Sequence, residues 1–367
     1  MRWPGFCEPA AADRDSVRAG VSQPEPNLGR AVDWEFAGAV GTRLARPGPP
    51  VTDYTRRQAI EELARAARDA EAPVREVTGL SGAHPVAEAV IVDRGQWIRS
   101  ASDSMRVMTG GTGTPGNPVT GRIAGAQTGA VLAFISSGIL GQYDPFASGR
   151  ADAQGALLLV YPNVVGVERQ LRLPPKDFRL WVCLHEVTHR VQFGANPWLA
   201  GHMSQSLALL TAEGDGDIGQ VIGRLADFVR SRRAPSEPAG VVGLLRAVQS
   251  EPQRAALDRL LVLGTLLEGH ADFVMDAVGP AVVPSVELIR RRFDQRRRDR
   301  QPPLQRILRA LLGVDAKLSQ YTRGRAFVDH VVGRVGMARF NTVWSGPDTL
   351  PLLDEIEEPQ RWIDRVL

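Results

Sequence analysis

The chain has 367 residues and 39.8 kDa, with 43% apolar and 23% charged residues, a globular composition that excludes collagen, coiled-coil and multi-span membrane readings. Its 44 basic residues, of which only Lys176 and Lys317 are lysine, nearly balance 41 acidic ones, so no nucleic-acid partner is expected. Cys7 and Cys183 lie far apart in unlike surroundings, which excludes a disulfide framework and points to a reducing compartment.

Residues 1–30 are rich in Pro, Ala, Asp, Glu and Arg with little apolar periodicity, and they are read as a disordered leader. They hold no apolar stretch of secretory-signal length, so the expected location is the cytoplasm. A single domain over 31–367 is expected to follow, because no linker separates two cores. Helices are predicted over 32–44, closed by the ARPGPP run, and over 53–72, with a mobile Gly- and Pro-rich loop at 110–118. Between Arg122 and Asp144 lie 21 uncharged residues, long enough to span a bilayer. Gln127, Thr128, Ser136, Ser137, Gln142 and the glycines dilute that run. It is read as a buried core helix, with Gly125 and Gly129 suited to close packing, and no membrane is expected.

The aliphatic stretch ALLLVYPNVV, 156–165, is the best strand candidate and could present an edge to an extended peptide. Helical patterns follow over 177–193, 197–230, 252–278, 284–297, 303–312 and 317–335. The fold class is therefore mainly α, an α+β domain with a small sheet.

The segment LRLPPKDFRLWVCLHEVTHRVQFGANPW contains His185, Glu186 and His189, an H-E-x-x-H arrangement in the middle of a predicted helix. Residues four apart share a helix face, so two imidazoles can reach one metal ion. Glu186, about 100° around the helix, can reach a water beside that ion and act as its base. Two histidines and a carboxylate among Leu180, Trp181, Val182, Leu184, Val187 and Val191 would be costly to bury unless something organised them.

A catalytic zinc site needs a third protein ligand and an open position. LLVLGTLLEGHADFVMDAVG offers Glu268, His270 and Asp272 in an otherwise apolar run. Glu268 and Asp272 lie four apart on one face, whereas His270 points about 200° away from Glu268. Glu268 is therefore the expected third ligand of one Zn2+ per chain, with Asp272 accepting a ring N–H of a ligating histidine. His270 is the first alternative and His202 the second. Tyr321, in KLSQYTRG, is a candidate donor to a tetrahedral oxyanion.

With DFRLWVCLHEVTHRVQF, PWL, LEGHAD, QYTRG and FNTVW, the chain from about residue 32 onward resembles the actinobacterial zincin-like metallopeptidases, also labelled as hydrolases associated with biosynthesis of a deazaflavin coenzyme. The resemblance implies a mostly helical zincin-like fold, a single zinc and hydrolase activity on an unestablished substrate. It carries over His185 and His189 as ligands, Glu186 as base and Glu268 as the downstream glutamate. Arg190 departs from the broader zincin pattern, which favours an uncharged residue just after the second histidine. A peptide or amide is the expected substrate, and a catalytically silent scaffold of the same shape is the alternative; oligomeric state is left open.

Three features fall outside this constellation. The run Arg290–Arg300 holds seven arginines with Asp294 and Asp299 and reads as a solvated helix end stitched by local ion pairs. His84 and His330 have no partners at ligand spacing. Cys183 faces away from the histidines and reads as a small buried hydrophobe.

Overall fold

The computed structural model describes residues 31–82, 87–110, 117–147, 155–211, 251–299 and 320–367. The leader expected over 1–30, His84, most of the loop expected over 110–118 and the helix expected over 303–312 lie outside the described residues.

Local caps start the first helices. Helix α1 (Trp34–Leu44) opens on Asp33, whose carboxylate accepts the Phe36 N–H at 2.9 Å, and α2 (Asp53–Asp69) opens on Thr52, whose hydroxyl accepts from Thr55 at 3.1 Å. The pattern read as one helix over 53–72 is two, because α3 (Glu71–Thr78) starts immediately afterwards. Strand β1 (Val90–Val92), too short to show periodicity, then leads through the Asp93–Gln96 capping box into α4 (Arg94–Met108).

Asn117 and Pro118 start α5 (Pro118–Ser136), which packs on α1. A Cβ on Gly125 or Gly129 would come within 2.6 Å of the Asp33 carbonyl oxygen or 2.5 Å of that of Ala37, so the glycines permit this contact. The far side of α5 exposes Val119, Ile123, Val131 and Phe134, so the uncharged run is not the fully buried helix expected of it. Its last residues form a strand, β2 (Gly141–Asp144). Among the described residues no helix is long and apolar enough to cross a membrane.

Strand β3 (Ala156–Val160) is the strand read from ALLLV, buried at every residue. It pairs parallel with β1, Val90 opposite Leu158, and antiparallel with β2, Gly141 opposite Leu159. The order β1-β3-β2 makes β3 central, with both its edges taken, so the expectation that ALLLVYPN carries a peptide edge is corrected: the edge beside the motif helix is that of β2. From Tyr161 the chain turns into α6 (Tyr161–Leu171).

The H-E-x-x-H helix, α7 (Pro175–Ala195), is buried on most sides. Proline opens it, and the Asp177 carboxylate in its first turn accepts the Ser285 N–H at 2.9 Å. Its buried Arg179 donates two hydrogen bonds to Glu168 of α6, at 2.9 and 3.0 Å, and pairs with Glu62 of α2, which fixes α7 against both helices.

After α7 come α8 (Trp198–Thr211), α9 (Glu251–Val278), α10 (Val286–Asp299) and α11 (Gln320–Val335), then short helices that bury Trp362 near the carboxyl end. One apolar cluster joins α2, α3, β3 and α6 to α7, α9 and α10 through Leu63, Leu159, Phe178, Leu184, Val274 and Ile289. A second joins α8, α9 and α11 to the terminal segment through Leu199, Leu266, Phe327, Phe340 and Trp362, with Phe193 of α7 at its border. Helices α7 and α9 belong to both. The result is the mainly α domain with a small sheet that the sequence patterns predict.

Candidate metal centre

Helix α7 sets His185 and His189 one turn apart, and α9 lays Glu268 across them. His185 Nε2 and His189 Nε2 are 3.3 Å apart; the Glu268 carboxylate reaches the first at 3.3 Å and the second at 3.6 Å. Three ligand atoms lie within 4.8 Å of one another, the spacing of a metal-binding group. For metal–ligand bonds of about 2.0–2.1 Å, tetrahedral geometry puts neighbouring ligand atoms about 3.3 Å apart, so the donor set suits a zinc ion as it stands.

The other ring nitrogens decide what Nε2 offers. His185 Nδ1 lies 3.3 Å from the Met275 thioether, an acceptor only, and His189 Nδ1 lies 2.9 Å from Gln192 Oε1, also an acceptor only. A proton on each Nδ1 meets these acceptors and leaves an Nε2 that, when bare, turns its lone pair toward the shared space. Two such lone pairs facing a carboxylate repel unless a cation sits between them. Burial works against a charged His185, but the Glu268 carboxylate overrides it and holds the imidazole up at about 9. Burial pushes His189 down, so a single proton does for the cluster what one divalent ion would do better.

Glu186 is 7% exposed and lies against β2, where a Cβ on Gly141 would be 2.6 Å from Glu186 Cγ and 2.8 Å from Cδ. Only glycine lets the strand approach this closely. Burial pushes the Glu186 carboxyl up to about 7; His185 opposes the shift and Glu268 adds to it. A carboxylate poised near neutrality can both take and return a proton.

The remaining candidates fall elsewhere. Asp272 does not accept from a histidine: its carboxylate takes Arg290 Nη1 at 3.3 Å, and Met275 and Gln192 take the two ring N–H groups instead. His270 is fully buried outside the cluster, stacked on Phe340 and near Trp344, and burial lowers it to about 3. His202 packs edge-on against Trp198. Tyr321 falls in the first turn of α11, and its side chain lies outside the described residues. His330 is exposed.

Arg190 turns away from the cluster, bonding Glu71 of α3 at 2.6 Å and the Ala87 carbonyl at 3.0 Å, which explains a charge beside the second histidine. In the arginine run, Arg290 reaches Asp272 and Asp276 of α9, and Arg292 reaches the carbonyls of Leu171 and Arg172; the side chains of Asp294 and Asp299, the local partners expected from the sequence, lie outside the described residues. Cys183 is buried, and burial raises its thiol well above the usual range. Gln192 and Met275 escape a search for charged ligands. Their spacing was a usable signal, since Gln192 lies seven residues after His185 and Met275 seven after Glu268, two helical turns along the same faces.

The sequence pattern of the zincin-like metallopeptidase family matches residues 32–363. The chain belongs to the zincin-like metallopeptidase family. A crystal structure from Chloroflexus aurantiacus, described as a candidate hydrolase with a novel fold, is similar over 91% of this chain and 98% of its own, at 30% identity and a TM-score of 0.65. No curated protein matches the chain. The family implies a metal, typically zinc, and the donor set described above fits one.

Proposed function

We propose that this zincin-like protein is a zinc-dependent hydrolase of peptide or amide bonds, with His185, His189 and Glu268 holding the ion and Glu186 as general base. The observation that carries the reading is the meeting of two Nε2 atoms and a carboxylate at tetrahedral-edge distances, with a buried second carboxylate one residue from the first ligand. Bound zinc supplies a Lewis acid that polarises a carbonyl and brings the acidity of a water into the neutral range. Glu186 accepts a proton from the attacking water and returns it to the leaving nitrogen, so the carboxylate is regenerated in each cycle. Strand β2 supports a peptide substrate: added to its outer edge, an extended chain gains backbone hydrogen bonds and passes over Glu186 at Gly141. Tyr321 is the proposed donor to the oxyanion, and its loss would be felt at the attack of water on the carbonyl, where that charge develops.

The experiment is elemental mass spectrometry on dialysed protein beside a Glu268→Ala variant, followed by a peptide and amide screen against Glu186→Gln. About one zinc per chain is expected, weakened in Glu268→Ala and kept in Glu186→Gln, whose turnover is lost. Zinc bound equally in all three, with no hydrolysis by any, would leave a silent zincin-shaped binding protein. No zinc in the parent, even when supplied, would overturn the metal reading.

A further inference from the structure

Gln192 uses its whole amide. Its oxygen faces His189 Nδ1 at 2.9 Å, and its nitrogen is 3.0 Å from the Leu267 carbonyl oxygen and 2.9 Å from His270 Nδ1. The Leu267 carbonyl can only accept, so it dictates which end of the amide faces it, and the –NH2 must point there. The amide oxygen is then committed to His189, whose Nδ1 must carry the proton. His270, fully buried, must in turn present a bare Nδ1 to the second amide hydrogen.

We infer that Gln192 is a positioning residue that fixes the tautomer of His189 and ties it to the backbone just before Glu268, with His270 holding the amide in place from the other side. The inference rests on the reading of His189 and Glu268 as ligands of one ion. One side chain thereby sets the orientation of a ligand on α7 and the position of a ligand on α9. It also gives His270 a use: it sits two residues from Glu268, stands outside the donor set and serves the site through an amide. Keeping it neutral leaves its Nε2 hydrogen buried with no partner among the described residues, a cost of the kind tolerated where a geometry must be held.

The test uses the full chain with 15N-labelled histidine. Long-range 1H–15N spectra of the metal-free protein assign each tautomer, and competition with a chromophoric chelator measures zinc affinity. The His189 proton is expected on Nδ1 in the parent. Gln192→Leu, close in shape, should lose about 10- to 100-fold in zinc affinity and release the His189 proton from Nδ1. Gln192→Glu keeps the acceptor for His189 but sets a carboxylate oxygen against the Leu267 carbonyl, so His189 should stay protonated on Nδ1 and zinc affinity should fall less than in Gln192→Leu, while His270 switches to carry its proton on Nδ1. A merely packing role for Gln192 would move none of these tautomers. A parent His189 protonated on Nε2, or a folded Gln192→Leu that binds zinc as tightly as the parent, overturns the inference. If Gln192→Leu does not fold, the parent tautomer and Gln192→Glu decide. If the parent takes up no zinc, the metal reading fails, and the tautomer still decides what Gln192 does.

Discussion

Asp144 ends the strand that covers Glu186, and its buried carboxylate accepts from the Ser104 hydroxyl and from Phe146 N–H at 3.0 Å. Burial outweighs both hydrogen bonds and holds this carboxyl above its ordinary range. The folded state thus keeps a proton that the unfolded state releases. Its stabilising share is complete below the unfolded pKa and is lost as pH rises through the folded one. Asp144→Asn keeps the oxygen for Phe146 and offers an amide hydrogen to Ser104 without the charge. Urea unfolding should show the variant more stable than the parent at pH 8, with the gap closing toward pH 4; a variant weaker at both pH values would show the charge to be compensated. At this scale the sequence was readable where helical spacing or an isolated charge did the work: His185 and His189 by their one-turn offset, Glu268 by interrupting an apolar run. Where the partner is neutral, spacing places Gln192 and Met275 on the right faces without saying what they do there. Nothing about a glutamine or a methionine in isolation says that it will face an imidazole, and so the sequence points to Asp272 where the structure sets Gln192 and Met275.

Helices α9 and α11 meet backbone to backbone. A Cβ on Gly269 would lie 2.1 Å from the Gly324 carbonyl carbon, and one on Gly324 would lie 2.1 Å from the Thr265 carbonyl oxygen, so neither position can hold even alanine without the helices parting. Gly269 adjoins Glu268, which makes the crossing part of the candidate metal site's foundation. Gly269→Ala should cost about 1–3 kcal/mol in urea unfolding and weaken zinc binding alongside it. Unchanged zinc affinity despite lost stability would show that Glu268 is held by α7 alone. Periodicity found α7 and α9 to within two residues at either end, because their apolar faces repeat over many turns. It failed for the short elements. β1 has three residues, and β2 is cut from an uncharged run that reads as helix throughout, so only pairing with β3 reveals either.

Across the whole molecule, the fold class was legible because helix after helix carries its own apolar stripe. The arrangement of those helices was not, since the contacts that fix it join residues far apart in sequence: Arg179 with Glu62, Arg190 with Glu71, Arg94 with Asn163 at 2.7 Å. Each is an arginine that composition alone would place in solvent. Helix α9 contributes Val274 and Met275 to one apolar cluster and Val262, Leu263, Leu266 and Leu267 to the other. Neither half of the protein can melt and leave the other its full lining. Heat should therefore take the molecule apart in one cooperative step, with any bound zinc released inside it; two resolved calorimetric transitions would make α9 a seam between separable halves. A substitution near the carboxyl end, at Trp362 for instance, then lowers the melting point of the metal site as surely as one beside it, because the two share a single fate.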